Sequence, residues 1–218
     1  MYLQDGIGTW AEKIEQTDFT GRPALFLDRD GVVVEEVDFL HRAEDIQLTP
    51  GIAPAIAQAN ALGVAVVIVT NQSGIARGRF GWAEFQSVQD ALIARLTDAG
   101  AHVAAVFACG YHGIGKGTLG IADHPWRKPA PGMLVAAAEM LHVDLPSSWI
   151  IGDRVSDLEA GFRAGLPGGT LVVSGYGRGQ TDLFEQARQK WLGRYTGLLQ
   201  ETAAQAITDR LDGLRDER

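Results

Sequence analysis

Short, uninterrupted apolar runs alternate along this chain with longer stretches in which apolar residues recur every three or four positions. Residues 24–27, 64–69, 103–108, 148–153 and 170–173 are the runs, and each reads as a strand buried on both faces. The stretches between them read as helices. One spans 50–62, opened by Pro50-Gly51 and closed by Gly63; another spans 82–99, with Phe85, Val88, Leu92 and Leu96 on one face and Gly100 as the stop. Two more span 133–141 and 158–164, the second ending at Gly165. Strand and helix in alternation make a βαβ series, which closes right-handed into a parallel sheet, so the expected fold class is α/β.

The flanks lack this rhythm. Trp10 and Ile14, four apart in a polar, mixed segment, predict a short helix lying on the body, with Asp18 in the turn that follows. Residues 183–214 predict a helix broken near Gly193 and Gly197. Phe184, Trp191 and Leu192 would form one apolar face, and Leu198, Leu199, Ile207 and Leu211 another. Packing against the body or a dimer contact would cover them. The expected organisation is an N-terminal extension over 1–22, a core domain over 23–177 and a C-terminal helical extension over 178–218 packed on that domain.

Polar chemistry gathers where the strands end. The first run delivers Asp28-Arg29-Asp30-Gly31, the second Thr70-Asn71-Gln72-Ser73-Gly74, and the fourth Gly152-Asp153 followed by Asp157. In an open parallel sheet these carboxyl ends share one edge, where ligands bind. Two acids one residue apart raise each other's pKa unless a cation lies between them, and a hard cation such as Mg²⁺ suits their oxygens. A surface turn is the alternative, because Asp-Gly marks turns as well. The long segment 32–49 follows the acidic pair and is expected to overhang it, with Glu36, Asp38, Phe39 and His41 as substrate contacts or as solvated loop residues. Small polar residues after Thr70 suit an anion-holding loop, and Arg77 and Arg79 add cations. Arg127-Lys128, stiffened by Pro129 and Pro131, puts two cations ahead of a helix, where they can bind a phosphate or carboxylates.

Composition narrows the partners. A net charge of -8 and a pI near 5.1 argue against nucleic acid or an anionic membrane as the main partner. An anionic substrate stays open, because a bound metal can reverse the field in one cleft. A single cysteine rules out an internal disulfide framework and agrees with a reducing cytoplasm. No apolar run reaches membrane-spanning length, and the first residues do not read as a signal peptide. A cytoplasmic monomer or homodimer is expected.

The four polar stretches resemble the motifs of the haloacid dehalogenase (HAD) superfamily, mostly Mg²⁺-dependent phosphatases: Asp28-Arg29-Asp30-Gly31, Thr70, Lys128, and Gly152-Asp153 with Asp157. Within it, Asp-Arg-Asp-Gly-Val, Thr-Asn-Gln-Ser-Gly-Ile-Ala-Arg-Gly and Arg-Lys-Pro-Ala-Pro-Gly-Met resemble the heptose-1,7-bisphosphate phosphatases, whose relatives act on histidinol phosphate. The resemblance implies a Rossmann-like three-layer sandwich without a large cap domain, since the insertions after Asp30 and Thr70 are small. It implies Asp28 as nucleophile, Asp30 as acid and base, and Thr70 and Lys128 as holders of the phosphoryl oxygens. Mg²⁺ would be bound by Asp28, the Asp30 carbonyl and Asp153, with Asp157 behind them. Glu36, Val37, Asp38 and Phe39 would form the substrate loop, Arg127 would recognise substrate, and Asn71, Gln72 and Ser73 would add contacts.

Relatives carry a structural zinc loop before the lysine motif. Here only Cys109, His112 and His124 could serve, because Trp126 takes the fourth place, so zinc is not expected and packing should replace it. A different class, the phospho-accepting receiver domain, also puts an aspartate and Mg²⁺ at strand ends. Asp30 separates the two, since hydrolysis needs an acid/base two residues on and receiving does not. ATP-driven enzymes that form an aspartyl phosphate carry threonine at that place, and a non-catalytic relative would have lost some of the motif residues filled here.

Overall fold

A computed structural model describes residues 2–216. Seven strands form one sheet: β1 (Thr9–Lys13), β2 (Ala24–Leu27), β3 (Ala65–Asn71), β4 (Ala105–Cys109), β5 (Trp149–Gly152), β6 (Gly168–Val172) and β7 (Thr196–Gln200). Their order is β1-β4-β3-β2-β5-β6-β7, parallel throughout except for β1, which runs antiparallel to β4. The helices are α1 (Ile52–Ala61), α2 (Ser73–Ala76), α3 (Trp82–Asp98), α4 (Gly132–Leu141), α5 (Val155–Ala164), α6 (Thr181–Trp191) and α7 (Ala203–Asp216).

Alternation along the strands sorts the core into two layers. Leu25 and Leu27 face one side with Ile56 of α1, Leu92 of α3 and Ile207 of α7. Ala24 and Phe26 face the other with Leu134 of α4, Leu158 of α5 and Phe184 of α6. Because both faces are covered, β2 has no polar position, and its four residues are buried. Burying a leucine or phenylalanine fully contributes roughly 1.5–3 kcal/mol. The two faces together make an α/β sandwich of three layers: the apolar runs predicted the α/β class, and the family resemblance implied the layering. Residues 28–51 carry a short 3-10 turn at Ala43–Asp45 and two isolated bridges through Val34, so no cap domain interrupts the chain after the first acidic pair.

Two expectations for the flanks are corrected. Residues 9–13 form an edge strand rather than a helix. Thr9 pairs with Cys109 and Lys13 with Ala105, and Trp10 stacks on Trp82 at 5.6 Å between ring centroids. The ladder and the aromatic contact outweigh a four-residue spacing that fits a helix equally well. Residues 196–200 are a strand paired with β6, not part of a broken helix. Leu198 and Leu199 are each 44% exposed on that edge, whereas Ile207 and Leu211 of α7 are buried. The flanks therefore supply both edges of the sheet. No helix among the described residues is long and apolar enough to cross a membrane.

Candidate active site

Asp28 follows β2 directly, and its N–H donates to the Ile151 carbonyl of β5 at 3.0 Å, which extends the ladder by one residue. Thr70 and Asn71 end β3. Asp153 follows β5, and Asp157 sits in the first turn of α5, where its Oδ2 accepts the Arg154 N–H at 3.0 Å. That bond caps the helix, and an acid in a first helical turn is favoured by the exposed N–H groups there. It also explains why α5 starts at Val155 rather than at 158.

Lys128 stands in the middle of the acids. Its Nζ lies 2.9 Å from Asp28 Oδ1 and 2.7 Å from Asp157 Oδ1, and donates to the Val69 carbonyl at 2.7 Å. The ammonium is thus ringed by two carboxylates and a carbonyl. The side chain of Asn71 holds the lysine's backbone from both sides: Nδ2 donates to the Lys128 carbonyl at 3.0 Å, and Oδ1 accepts the Lys128 N–H at 3.1 Å. Burial would lower the Lys128 pKa, but Asp157 and Asp28 outweigh it and raise it.

Carboxylate oxygens of Asp28, Asp153 and Asp157 lie within 4.8 Å of one another, all three residues buried. Asp153 Oδ2 accepts the Tyr176 N–H at 2.8 Å, whereas Oδ1 is buried with no hydrogen-bond partner among the described residues. Burial first, and the charges of Asp28 and Asp157 next, push the Asp153 carboxyl up to about 8. Asp28 is pushed up to about 6, chiefly by burial and against the pull of Lys128. Three carboxylates against one ammonium leave a net charge of −2 if all ionise, and a divalent cation would cancel it. Hard oxygen donors, an orphaned buried oxygen and this charge deficit together fit Mg²⁺. Gly31 and Gly175 close the wall behind: a Cβ on either would come within 2.5 Å and 2.3 Å of Asp153 Oδ2, and both have positive φ, +80° and +52°.

Asp30 is held apart from this group. Its Oδ1 accepts Arg29 Nε at 3.1 Å, and its Oδ2 accepts Arg29 Nη2 at 2.9 Å. Gln72 Nε2 reaches both Asp30 Oδ2, at 3.0 Å, and Thr70 Oγ1, at 2.8 Å. Arg29 is only 1% exposed and lies over the Phe85 ring at 5.6 Å. The buried arginine and the amide therefore fix the orientation of a carboxylate that itself reaches the cleft.

These groups open onto a cleft of ≈ 620 Å³. Glu36, Val37, Asp38 and Phe39 line it, as do Asn71, Gln72 and Ser73 with Thr70. Phe39 has φ +56°, and the guanidinium groups of Arg77 and Arg79 lie over its ring at 5.7 and 5.6 Å from the centroid. Glu36 is pushed up to about 7 by burial and then by Asp30, against the opposing pull of the neighbouring Tyr176 side chain. Arg154 lies 3.8 Å above the Tyr176 ring. Arg77, Arg127 and Arg154 all face the cleft. Burial lowers the Arg127 pKa, with Arg77 and Arg154 lowering it further, so the three guanidinium groups feel one another's charge. His41 is absent from the lining; its Nδ1 bonds the Phe39 carbonyl at 2.7 Å. No residue of α6, β7 or α7 lines the cleft.

Cys109, His112 and His124 do not fall together as a metal group among the described residues. Cys109 is buried, and its thiol is pushed up to about 11 by that burial. His112 Nδ1 accepts the Ile114 N–H at 3.1 Å, and His124 Nδ1 accepts the Trp126 N–H at 3.2 Å. His124 also stacks on Tyr111, with ring centroids 4.0 Å apart. His112 joins the cleft lining instead.

Tyr176 and the buried Arg29 escaped the sequence reading, as did the joint position of Arg77 and Arg154. Tyr176 is a lone aromatic in a Gly-rich loop, and its one signal is that the loop follows β6 on the edge where Asp28 and Asp153 stand.

A protein 50% identical over 166 residues, 76% of each chain, is the D-glycero-beta-D-manno-heptose-1,7-bisphosphate 7-phosphatase of Mesorhizobium japonicum. The chain belongs to the HAD superfamily. A family model described as "HAD-hyrolase-like" matches residues 125–192, the span that holds Lys128, Asp153 and Asp157. Among solved structures, a HAD-like phosphatase from Mesorhizobium loti is 48% identical, covering 80% of this chain and 83% of its own, with a TM-score of 0.77. The D,D-heptose 1,7-bisphosphate phosphatase of B. bronchiseptica, solved with magnesium and phosphate, is 31% identical, covering 88% and 99%, with a TM-score of 0.73. The named relatives in this part of the HAD superfamily are phosphoric monoester hydrolases.

Proposed function

We propose that this protein is a Mg²⁺-dependent phosphomonoester hydrolase that works through an aspartyl phosphate on Asp28, and that its substrate is a sugar bisphosphate of the D-glycero-D-manno-heptose 1,7-bisphosphate kind. The observation that carries this reading is the gathering of Asp28, Asp153 and Asp157 at the strand ends, with Lys128 between Asp28 and Asp157, beside a cleft that Arg77, Arg127 and Arg154 also line. The names of the relatives support the heptose assignment.

In the first step an Asp28 oxygen attacks phosphorus, the bond to the leaving oxygen breaks, and Asp30 gives that oxygen its proton. In the second step Asp30 takes a proton from water, whose oxygen attacks the same phosphorus and frees the Asp28 carboxylate. The Thr70 hydroxyl and the Lys128 ammonium stabilise the phosphoryl oxygens as charge shifts onto them. Arg29 and Gln72 keep Asp30 ready at the rim of the cleft. Asp28 and Asp153, with the Asp30 carbonyl, would hold Mg²⁺, while Asp157 keeps Lys128 in place behind them. The metal supplies charge neutralisation between two anions, nucleophile and phosphate.

The three arginines suit a second anionic group at the far end of the substrate, and Glu36, Asp38 and the Tyr176 hydroxyl suit its hydroxyls. Histidinol phosphate is the second reading. Its amine would favour the acidic loop, but it leaves the arginines without an anion. The test is phosphate release with Mg²⁺ and with EDTA, from both anomers of heptose 1,7-bisphosphate, from histidinol phosphate and from an aryl phosphate. A preference for the bisphosphate of at least about 100-fold in kcat/KM, lost in EDTA, is expected. Equal rates on all four substrates would refute the substrate assignment, and equal rates in EDTA the metal. Melting curves give a second readout of the metal. Mg²⁺ at 100 times its Kd should stabilise the wild type by about 2.7 kcal/mol, and Asp153→Asn should lose that gain.

A further inference from the structure

Arg127 is reached through residues 110–126, a mostly exposed connection whose only regular piece among the described residues is a 3-10 turn at Gly117–Leu119. Such a loop would not by itself hold a guanidinium in place. Two of its residues do so here. The Arg127 N–H donates to the His124 carbonyl at 2.9 Å, and Arg127 Nη1 donates to the Tyr111 carbonyl at 3.0 Å. The side chains of those two residues are stacked, 4.0 Å between centroids and 13° between planes.

The outer support of this stack comes from the other end of the chain. The Tyr111 hydroxyl donates to Asp5 Oδ2 at 2.7 Å. Asp5 Oδ1 accepts the N–H groups of Ile7, Gly8 and Thr9 at 2.9, 2.9 and 3.1 Å. Gly8 lies flat against the tyrosine: a Cβ there would stand 2.5 Å from the Tyr111 ring and 2.7 Å from Leu119. Its carbonyl accepts the Gly110 N–H at 2.8 Å, and the Ile7 carbonyl accepts Trp82 Nε1 at 2.8 Å. Burial alone would raise the Asp5 carboxyl; the tyrosine hydroxyl and the three N–H groups outweigh it and hold it well below the usual carboxylate range.

We propose that the N-terminal segment is a positioning element of the active site: Asp5 and Tyr111 fix the loop that aims Arg127, and thereby set the affinity for the anionic group at the far end of the substrate. This rests on the bisphosphate reading above. Neither Asp5 nor Tyr111 lines the cleft, so both act through Arg127. Loosening one end of a hydrogen-bonded brace costs on the order of one hydrogen bond, which corresponds to roughly 5- to 10-fold in affinity.

The test is steady-state kinetics of Asp5→Ala, Tyr111→Phe, Arg127→Ala and the Asp5→Ala/Arg127→Ala pair, on heptose 1,7-bisphosphate and on an aryl phosphate that has no second anion. Asp5→Ala and Tyr111→Phe should each raise the bisphosphate KM about 5- to 10-fold, with kcat and the aryl phosphate kinetics unchanged. Tyr111→Phe keeps the ring stack and the carbonyl, so it remains informative if Asp5→Ala folds poorly. Arg127→Ala should raise the same KM further, and adding Asp5→Ala to it should change little, because the two act on one contact. If Arg127→Ala raises the bisphosphate KM while Asp5→Ala and Tyr111→Phe leave it unchanged, the positioning role is wrong and the bisphosphate reading stands. Parallel losses on both substrates would also overturn it, as a general structural effect. If Arg127→Ala leaves the bisphosphate KM unchanged, the far-end reading fails and the proposal with it.

Discussion

Asp28→Asn is expected to lower kcat by on the order of 10⁴-fold or more while the protein stays folded. The amide is close to isosteric but cannot attack phosphorus. The structural cost is small. Asp28 sits in a group of three buried carboxylates served by one ammonium, and its own carboxyl is already pushed up to about 6. Removing its charge takes the net of that group from −2 to −1. Lys128 keeps the Asp157 carboxylate and the Val69 carbonyl as partners. Melting in EDTA should therefore occur at or above the wild-type temperature, while phosphate release falls to background. Retention of even a tenth of wild-type kcat would mean that another group makes the bond to phosphorus.

Lys128→Met should do the opposite to stability. It removes the ammonium from between Asp28 Oδ1 and Asp157 Oδ1, where both lysine and acids are shielded from water. Removing one partner of a buried ion pair costs about 3–5 kcal/mol, because the remaining charges stay buried without compensation. For a chain of this size that lowers Tm by roughly 10 °C. The defect should depend on pH with a definite sign. Without Lys128 the folded-state pKa of Asp28 moves further above the value of about 6 it has with the lysine present. Between the ordinary carboxylate range near 4 and that raised value, the folded variant binds more protons than its unfolded chain. Its stability therefore falls as pH rises through this window and recovers as pH is lowered toward 4. Thermal melts of both proteins between pH 4 and 8 measure this. A loss of activity with an unchanged Tm at every pH would show that the lysine's charge is not needed to hold the acids together.

The parts of this protein that were legible in the sequence are those that burial makes monotonous. Residues 24–27 and 64–69 lie in the middle of the sheet under helices on both faces, so their composition reduces to apolar residues and their polar ends stand out. Asp28, Thr70 and Asp153 are recognisable because each interrupts such a run. The edge strands carry no such contrast. In β1 the buried Thr9, Trp10 and Ala11 are followed by partly exposed Glu12 and exposed Lys13, a pattern that fits a helix turn as well as a strand. In β7 both Leu198 and Leu199 stay partly in water, so hydrophobicity alone misassigns them.

The site was legible in its acids and its lysine, and less so in the residues that hold them. Arg29 reads as a linker between two aspartates, yet it is buried and holds Asp30 by two hydrogen bonds. Asn71 lines the cleft, and its side chain also holds the Lys128 backbone from both sides, a role its position in the sequence does not announce. Asp5, more than 100 residues from the tyrosine it supports, has no local signal at all. Partnerships made across the sheet edge leave no period in the sequence, which is why they appear only in three dimensions.

The proposed catalysis turns on a covalent bond to Asp28, and the most direct measurement traps it. Asp30→Asn should be mixed with Mg²⁺ and an aryl phosphate whose leaving group needs no proton. The first step then proceeds, while the second lacks its base. The expected result is a burst of about one aryl alcohol per enzyme followed by a slow phase. Peptide mass spectrometry of the quenched protein should find one phosphoryl group on Asp28. Continued release of aryl alcohol and phosphate together, with no burst and no phosphoryl group on Asp28, would contradict it.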